Sequence, residues 1–186
     1  PRFDAVATTP PEVPLSGSRS APYIAYQNGV IYRLQDFPDG LGARPLESLA
    51  GRRVVAFAGA SAILPEMREV GREALIYLER PDQVSHSIMF TNDVVDVVVA
   101  DHLIFTHYTR EVLGENYVAM ARGTRFDPVF CPTPYQMVFR DNALRDQFDR
   151  GLEILRLNGE LDAINARYNE QAGVVEVPRV REGCET

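Results

Sequence analysis

The stretch Val94-Val95-Asp96-Val97-Val98-Val99-Ala100 decides how this sequence is read. It is too apolar to be half solvated. Its side chains are mostly β-branched, which restricts χ1 and suits extended backbone packed from both sides. A strand covered on both faces is therefore predicted, and with it a parallel sheet flanked by helices. Upstream, Arg53-Val54-Val55-Ala56-Phe57-Ala58 between Gly51 and Gly59 is another short apolar run, and Leu75 to Leu78 is a third. Pro81 to Phe90 reads as a helix, with a proline suited to its start, Val84 and Ile88 one turn apart on one face, and Asn92 suited to stopping it. Residues 102 to 112 give another short helix. Alternation of strand and helix from Val54 to about Gly114 predicts an α/β unit with right-handed crossovers. Asp96, inside the apolar run, either anchors a turn or pairs with an arginine at the strand's other end.

Outside this unit the pattern changes. Residues 1 to 22 are rich in Pro, Ser, Thr and Gly and read as irregular chain. Tyr23 to Arg33 reads as extended chain interrupted by Asn28-Gly29, a turn or bulge signal between two β-prone runs. Asp36 to Arg44 is a loop around Pro38-Asp39-Gly40. Tyr117 to Met120 and Tyr135 to Phe139 both read as strands, separated by Phe130-Cys131-Pro132-Thr133-Pro134. Two helices follow. The first is capped by Asp141 or Asn142, carries the stripe Leu144, Phe148, Leu152 and Leu155, and ends at Asn158-Gly159. The second repeats the spacing with Leu161, Ile164 and Tyr168, and residues 173 to 186 form a polar tail.

Composition narrows the function. The 186 residues, 45% hydrophobic and 24% charged, suffice for one large or two small domains with real cores. A formal net charge of −7 argues against nucleic acid or anionic lipid as a partner, since both need a basic surface that displaces counterions. All 19 basic residues are arginine, which excludes Schiff-base chemistry and Walker-type phosphate loops. No run of about 18 apolar residues is present to span a membrane. The chain opens at Pro1-Arg2-Phe3-Asp4 with no methionine or apolar signal core, and is read as processed or as a piece of something longer. Cys131 and Cys184 lack the spacing of a zinc or redox motif, and pair only if the tail folds back beside Cys131. There is no nucleophile elbow, no HExxH and no cysteine–histidine pairing. His102 and His107 share no helix face, and His86 is placed on the polar side of its helix, so neither a metal nor a cofactor is expected.

The order of parts resembles the bacterial extracellular solute-binding proteins of the amino-acid-binding type (family 3), which deliver small polar ligands to ABC importers. The likeness is carried by Pro22-Tyr23, by Leu46-Glu47-Ser48-Leu49-Ala50-Gly51-Arg52-Arg53-Val54-Val55 leading into Gly59-Ala60-Ser61, and by Asp96 through Asp101. It continues with Pro134-Tyr135-Gln136-Met137-Val138-Phe139-Arg140, and with Leu144 through Tyr168 including Asn158-Gly159-Glu160-Leu161. The resemblance implies a type II periplasmic-binding-protein fold: two α/β lobes joined by crossings near Ile24 to Asn28 and Thr133 to Gln136, with a ligand between them. Lobe two would be residues 29–132. Residues 1–28 and 133–172 would form lobe one with the hinge strands, lacking the segment that precedes Phe3 in the family, so that a second chain is a possible cover for its edges. A periplasmic location and a membrane permease as partner are implied as well. So are two other roles: a ligand-sensing module of a signalling protein, and a degenerate member that binds nothing.

The candidate ligand contacts follow. Gly59-Ala60-Ser61 comes after a strand and before a helix, where free backbone N–H groups attract a carboxylate; a plain N-cap is the structural alternative. Asp101 ends the most apolar strand and, by resemblance, meets a ligand's amino group, or else it caps the helix from His102. The family's carboxylate-clamping arginine is absent at Glu12 or Val13, with Arg19 the nearby substitute. Tyr23 and Tyr26 either stack on a ligand or pack the hinge. No catalytic residue is assigned. A few relatives of the fold are dehydratases that use a cleft carboxylate, a role that Asp101 would have to fill here.

Overall fold

In the computed structural model, which describes residues 3–172 and Cys184, the valine run forms a strand covered on both faces from Val97 on, whereas Val94–Asp96 lie in the bend that leads into it and Val94 is exposed. In chain order the elements are β1 (Ala5–Thr9), β2 (Ser18–Arg19), β3 (Ile24–Tyr26), β4 (Asn28–Arg33), β5 (Arg53–Phe57), α1 (Ala60–Ile63), α2 (Met67–Glu73), β6 (Ile76–Arg80) and α3 (Gln83–Thr91). There follow β7 (Val97–Asp101), α4 (His102–Leu113), α5 (Tyr117–Arg122), β8 (Thr124–Asp127), β9 (Thr133–Phe139), α6 (Asn142–Leu157) and α7 (Glu160–Ala172). Among the described residues, 3–26 with 132–172 form one compact unit, and 27–131 with Cys184 the other.

The second unit is a five-stranded sheet in the order β6-β5-β7-β4-β8. Every residue of β7 is buried. Alternation explains this: Val97 and Val99 join Val30, Tyr32, Val54 and Ala56 in one core layer, while Val98 and Ala100 join Ile31 and Val55 in the other. Helices α1 and α2 cover the first layer through Ala60, Leu64, Met67 and Val70. Helices α3 and α4 cover the second through Phe90 and Phe105. The sheet is mixed rather than all parallel. β5 runs parallel to β6 and β7, whereas β4 is antiparallel to both β7 and β8. Asp96 pairs with Arg53 at the start of β5, accepting its backbone N–H at 2.8 Å and its guanidinium Nε–H at 3.2 Å.

Several expectations are corrected. Asn28-Gly29 is no turn: both residues lie in β4, and the break falls at Gln27. The glycine is needed because the backbone of β8 crosses it closely, so that a Cβ at position 29 would strike the Asp127 carbonyl oxygen and the Phe126 ring. Tyr117 to Met120 is helical, continuing α4 through a single 3₁₀ turn at Gly114–Asn116. Helix α3 turns inward His86, Ser87 and Phe90, while Ile88 is exposed. His86, assigned to the polar side, is thus a core residue.

In the first unit, β9 is the central strand, pairing antiparallel with β1, β2 and β3. The segment that reads as irregular, residues 1 to 22, therefore contains two of its strands. Asp141 caps α6 by accepting the Leu144 N–H at 3.0 Å. The stripe of α6 buries Leu152 and partly buries Phe148 and Leu155, with Phe148 5.4 Å from Phe139 and Leu144 left exposed. Cys131 and Cys184 form a disulfide, so the tail does return to Cys131. The rest of the predicted tail lies outside the described residues. No helix among these is long and apolar enough to cross a membrane.

Candidate functional site at the ends of strands β5 and β7

The connectivity of the second unit singles out one place. After β5 the chain passes to the layer covered by α1 and α2; after β7 it passes to the opposite layer, where α4 packs. Because the chain leaves these parallel neighbours toward opposite faces, their carboxyl ends mark the position at which open α/β sheets receive ligands. Gly59-Ala60-Ser61 follows β5 and Asp101 ends β7. The register pairs Ala56 with Val99, and carried two residues on it sets Ala58 level with Asp101.

At the first of these ends Gly59 adopts φ +83°, a left-handed conformation that lets the chain turn sharply into α1. The N–H groups that this turn presents are already engaged. The Gly59 N–H donates to Oε2 of Glu79 at 2.8 Å, the Ser61 N–H donates to Oε1 at 2.9 Å, and the Tyr77 hydroxyl donates to Oε1 at 2.9 Å. Burial alone would raise the Glu79 carboxyl. The Ser61 and Gly59 groups and the Tyr77 hydroxyl outweigh it, and hold Glu79 below the ordinary carboxylate range.

Asp101 is 6% exposed. One of its oxygens accepts the Ile104 N–H at 3.0 Å, capping α4. Burial pushes its carboxyl above the ordinary value, against the backbone N–H groups of Ile104, Gln27 and Leu103. The helix cap, one of the two roles the sequence allows Asp101, is thus present. Next to it the His102 ring lies 4.6 Å from Phe126 and lines a hollow of about 160 Å³ with Phe105, Tyr117 and Met120; burial holds its imidazole below the ordinary value. A larger hollow of about 530 Å³ lies between Ala43–Glu47 and Asp127–Val129, and neither Ser61 nor Asp101 lines it.

No protein-family model matches the sequence, and no curated protein matches it significantly. Solved structures do match. An amino acid ABC transporter substrate-binding protein from Streptococcus pneumoniae bound to L-arginine is 17% identical with a TM-score of 0.66, over 91% of this chain and 69% of its own. An ancestral arginine-binding protein bound to arginine is 19% identical with a TM-score of 0.65, over 90% and 72%. The fold is that of the type II periplasmic binding proteins. A histidine kinase sensor domain with similarity to periplasmic binding proteins shares it too, at 19% identity and TM-score 0.64, over 90% of this chain and 70% of that one.

Within this binding-protein fold the remaining candidates sit in the first unit. The Arg19 guanidinium donates to the carbonyl oxygens of Pro10 and Val13 and to the Gln136 side chain at 3.5 Å, so it braces its own loop. The Tyr23 hydroxyl accepts the Thr8 N–H at 3.1 Å, and its ring meets Phe148 edge-on at 6.0 Å. Tyr26 lies 4.6 Å from the Tyr135 ring, across the β3–β9 pairing. Glu79 was missed by the sequence reading. Its signal is the alternation Tyr77-Leu78-Glu79 on β6, which puts a phenol and a carboxylate on one face beside the Gly59 turn.

Proposed function

We propose that this chain is an extracytoplasmic solute-binding protein that captures a small polar solute and delivers it to the permease of an ABC importer. The single observation that carries the reading is the placement of Gly59–Ser61 and Asp101 at the diverging carboxyl ends of the parallel neighbours β5 and β7. The fold shared with amino-acid-binding proteins supports it. So does the Cys131–Cys184 disulfide, which persists in an oxidising compartment. Asp101 and the turn are the proposed solute contacts. No acid–base chemistry is assigned to Asp101, whose carboxylate accepts the Ile104 N–H as the cap of α4. A sensory role is the second reading, favoured by the likeness to a histidine kinase sensor domain.

Thermal-shift screening against amino acids, other carboxylates, amines and small neutral metabolites tests the proposal. A true solute binds the native state alone and adds about 2.7 kcal/mol of stability at a hundred times its Kd. Saturable stabilisation by one chemical class is expected; no stabilisation by any compound would overturn solute binding. A permease encoded beside this gene selects the transport role, and a kinase domain in the same polypeptide selects the sensor.

A further inference from the structure

The Gly59–Ser61 turn is shaped to receive a carboxylate, and the protein itself supplies one. Both oxygens of Glu79 are taken: Oε2 by the Gly59 N–H, and Oε1 by the Ser61 N–H and the Tyr77 hydroxyl. This is more than a charge near a helix end. Three donors from two separate stretches of chain converge on one group, and each bond is 2.8–2.9 Å long. Glu79 is fixed by its strand, since β6 pairs with β5 in a register that sets Glu79 opposite Ala56. The carboxylate therefore arrives from the neighbouring strand with little conformational freedom to lose, whereas a free anion would lose its translational and rotational freedom and have to displace it.

We propose that Glu79 is a specificity-determining residue: it occupies the Gly59–Ser61 turn as a built-in carboxylate, so that the site accepts solutes without a carboxylate at this point and rejects free α-amino acids. The inference rests on the solute-binding reading and narrows its substrate class to amines and neutral polar molecules. A competing anion would have to expel Glu79 from its three donors, or place a second negative charge beside it, and both oppose binding. Removing the Glu79 carboxylate would leave the same N–H groups open to an external one.

The test compares wild type with Glu79→Ala and with Glu79→Gln, the latter keeping the side chain's size should the alanine variant fold poorly. Acetate is titrated into each while the Gly59 and Ser61 amide resonances are followed, and the twenty L-amino acids and their decarboxylated amines are screened by calorimetry. Wild-type resonances are expected to ignore acetate, and wild type to bind amines but no L-amino acid. In the variants the two resonances should move saturably, and affinity for at least one L-amino acid should rise tenfold or more. A merely structural Glu79 would change stability without that gain, and its absence in both variants would overturn the proposal. Wild type binding L-amino acids as tightly as the variants would overturn it too, while leaving solute binding intact. Failure of every compound on every variant would remove both.

Discussion

At the scale of single residues, close approach and buried ionisable groups carry the most consequence. Gly29 lies where the β8 backbone and the Phe126 ring leave no space for a methyl group. Gly29→Ala should therefore cost about 1–3 kcal/mol in urea unfolding, the range for overpacking a well-packed site. An unchanged midpoint would show that β4 and β8 are further apart. His86 and His102 are both held below their ordinary values by burial, in His86 despite the nearby Arg80 and Ala56 backbone and Asp82. Unfolded, each titrates near about 6.5, so the unfolded state binds more protons as the pH falls below that value. Stability is then fully present above this pH and declines below it, by up to about 1.4 kcal/mol per pH unit for each histidine. Denaturation at a series of pH values from 7 to 5.5 should show this decline, and His86→Gln should lessen it. A flat wild-type profile would contradict the burial of both rings.

At the scale of elements, the two aspartate caps are separable by substitution. Asp141 accepts one N–H at the exposed start of α6, and Asp141→Ala should cost about 1 kcal/mol, measured by chemical denaturation. Asp101 caps α4 in the same way but at the proposed site. Because asparagine caps nearly as well as aspartate, Asp101→Asn should leave stability within about 0.5 kcal/mol of wild type. If Asp101 also meets a cationic group of the solute, the same change should weaken binding about tenfold or more, as expected for a charged hydrogen bond. Equal affinity in both proteins would confine Asp101 to its structural role.

The same elements show what was legible in the sequence. β7 was readable because an unbroken β-branched run has only one favourable environment, a sheet covered on both sides. The caps at Asp141 and Asp101 were readable because capping is a local event. Helix α5 was misread because Tyr117-Val118-Ala119-Met120 is a short run whose β-prone residues match either structure, and its helicity comes from continuing α4. α3 was misread in orientation because a histidine and a serine face the core there, and no periodicity marks polar residues as buried. For Glu79 only half of the arrangement is legible. Tyr77 stands two residues before it on the same strand, but the Gly59 and Ser61 N–H groups lie on another strand's turn, and those contacts exist only once the β5–β6 register is set.

For the whole molecule, the Cys131–Cys184 disulfide joins positions 53 residues apart. Cross-linking a loop of that length restricts the unfolded chain, and its loss typically costs about 2–4 kcal/mol. Replacing both cysteines by alanine should lower the unfolding free energy by that amount, and reductant should destabilise wild type but not the variant. Equal stability with and without reductant would show that the bond adds nothing to the fold.

The claim on which the functional reading stands is that solute binds at the carboxyl ends of β5 and β7. Amide chemical shifts of the full chain, followed while the best compound from the screen is titrated, measure this directly. Saturable changes are expected to concentrate at residues 58–61 and 101–104. Saturable changes centred elsewhere, with these amides unmoved, would contradict the account.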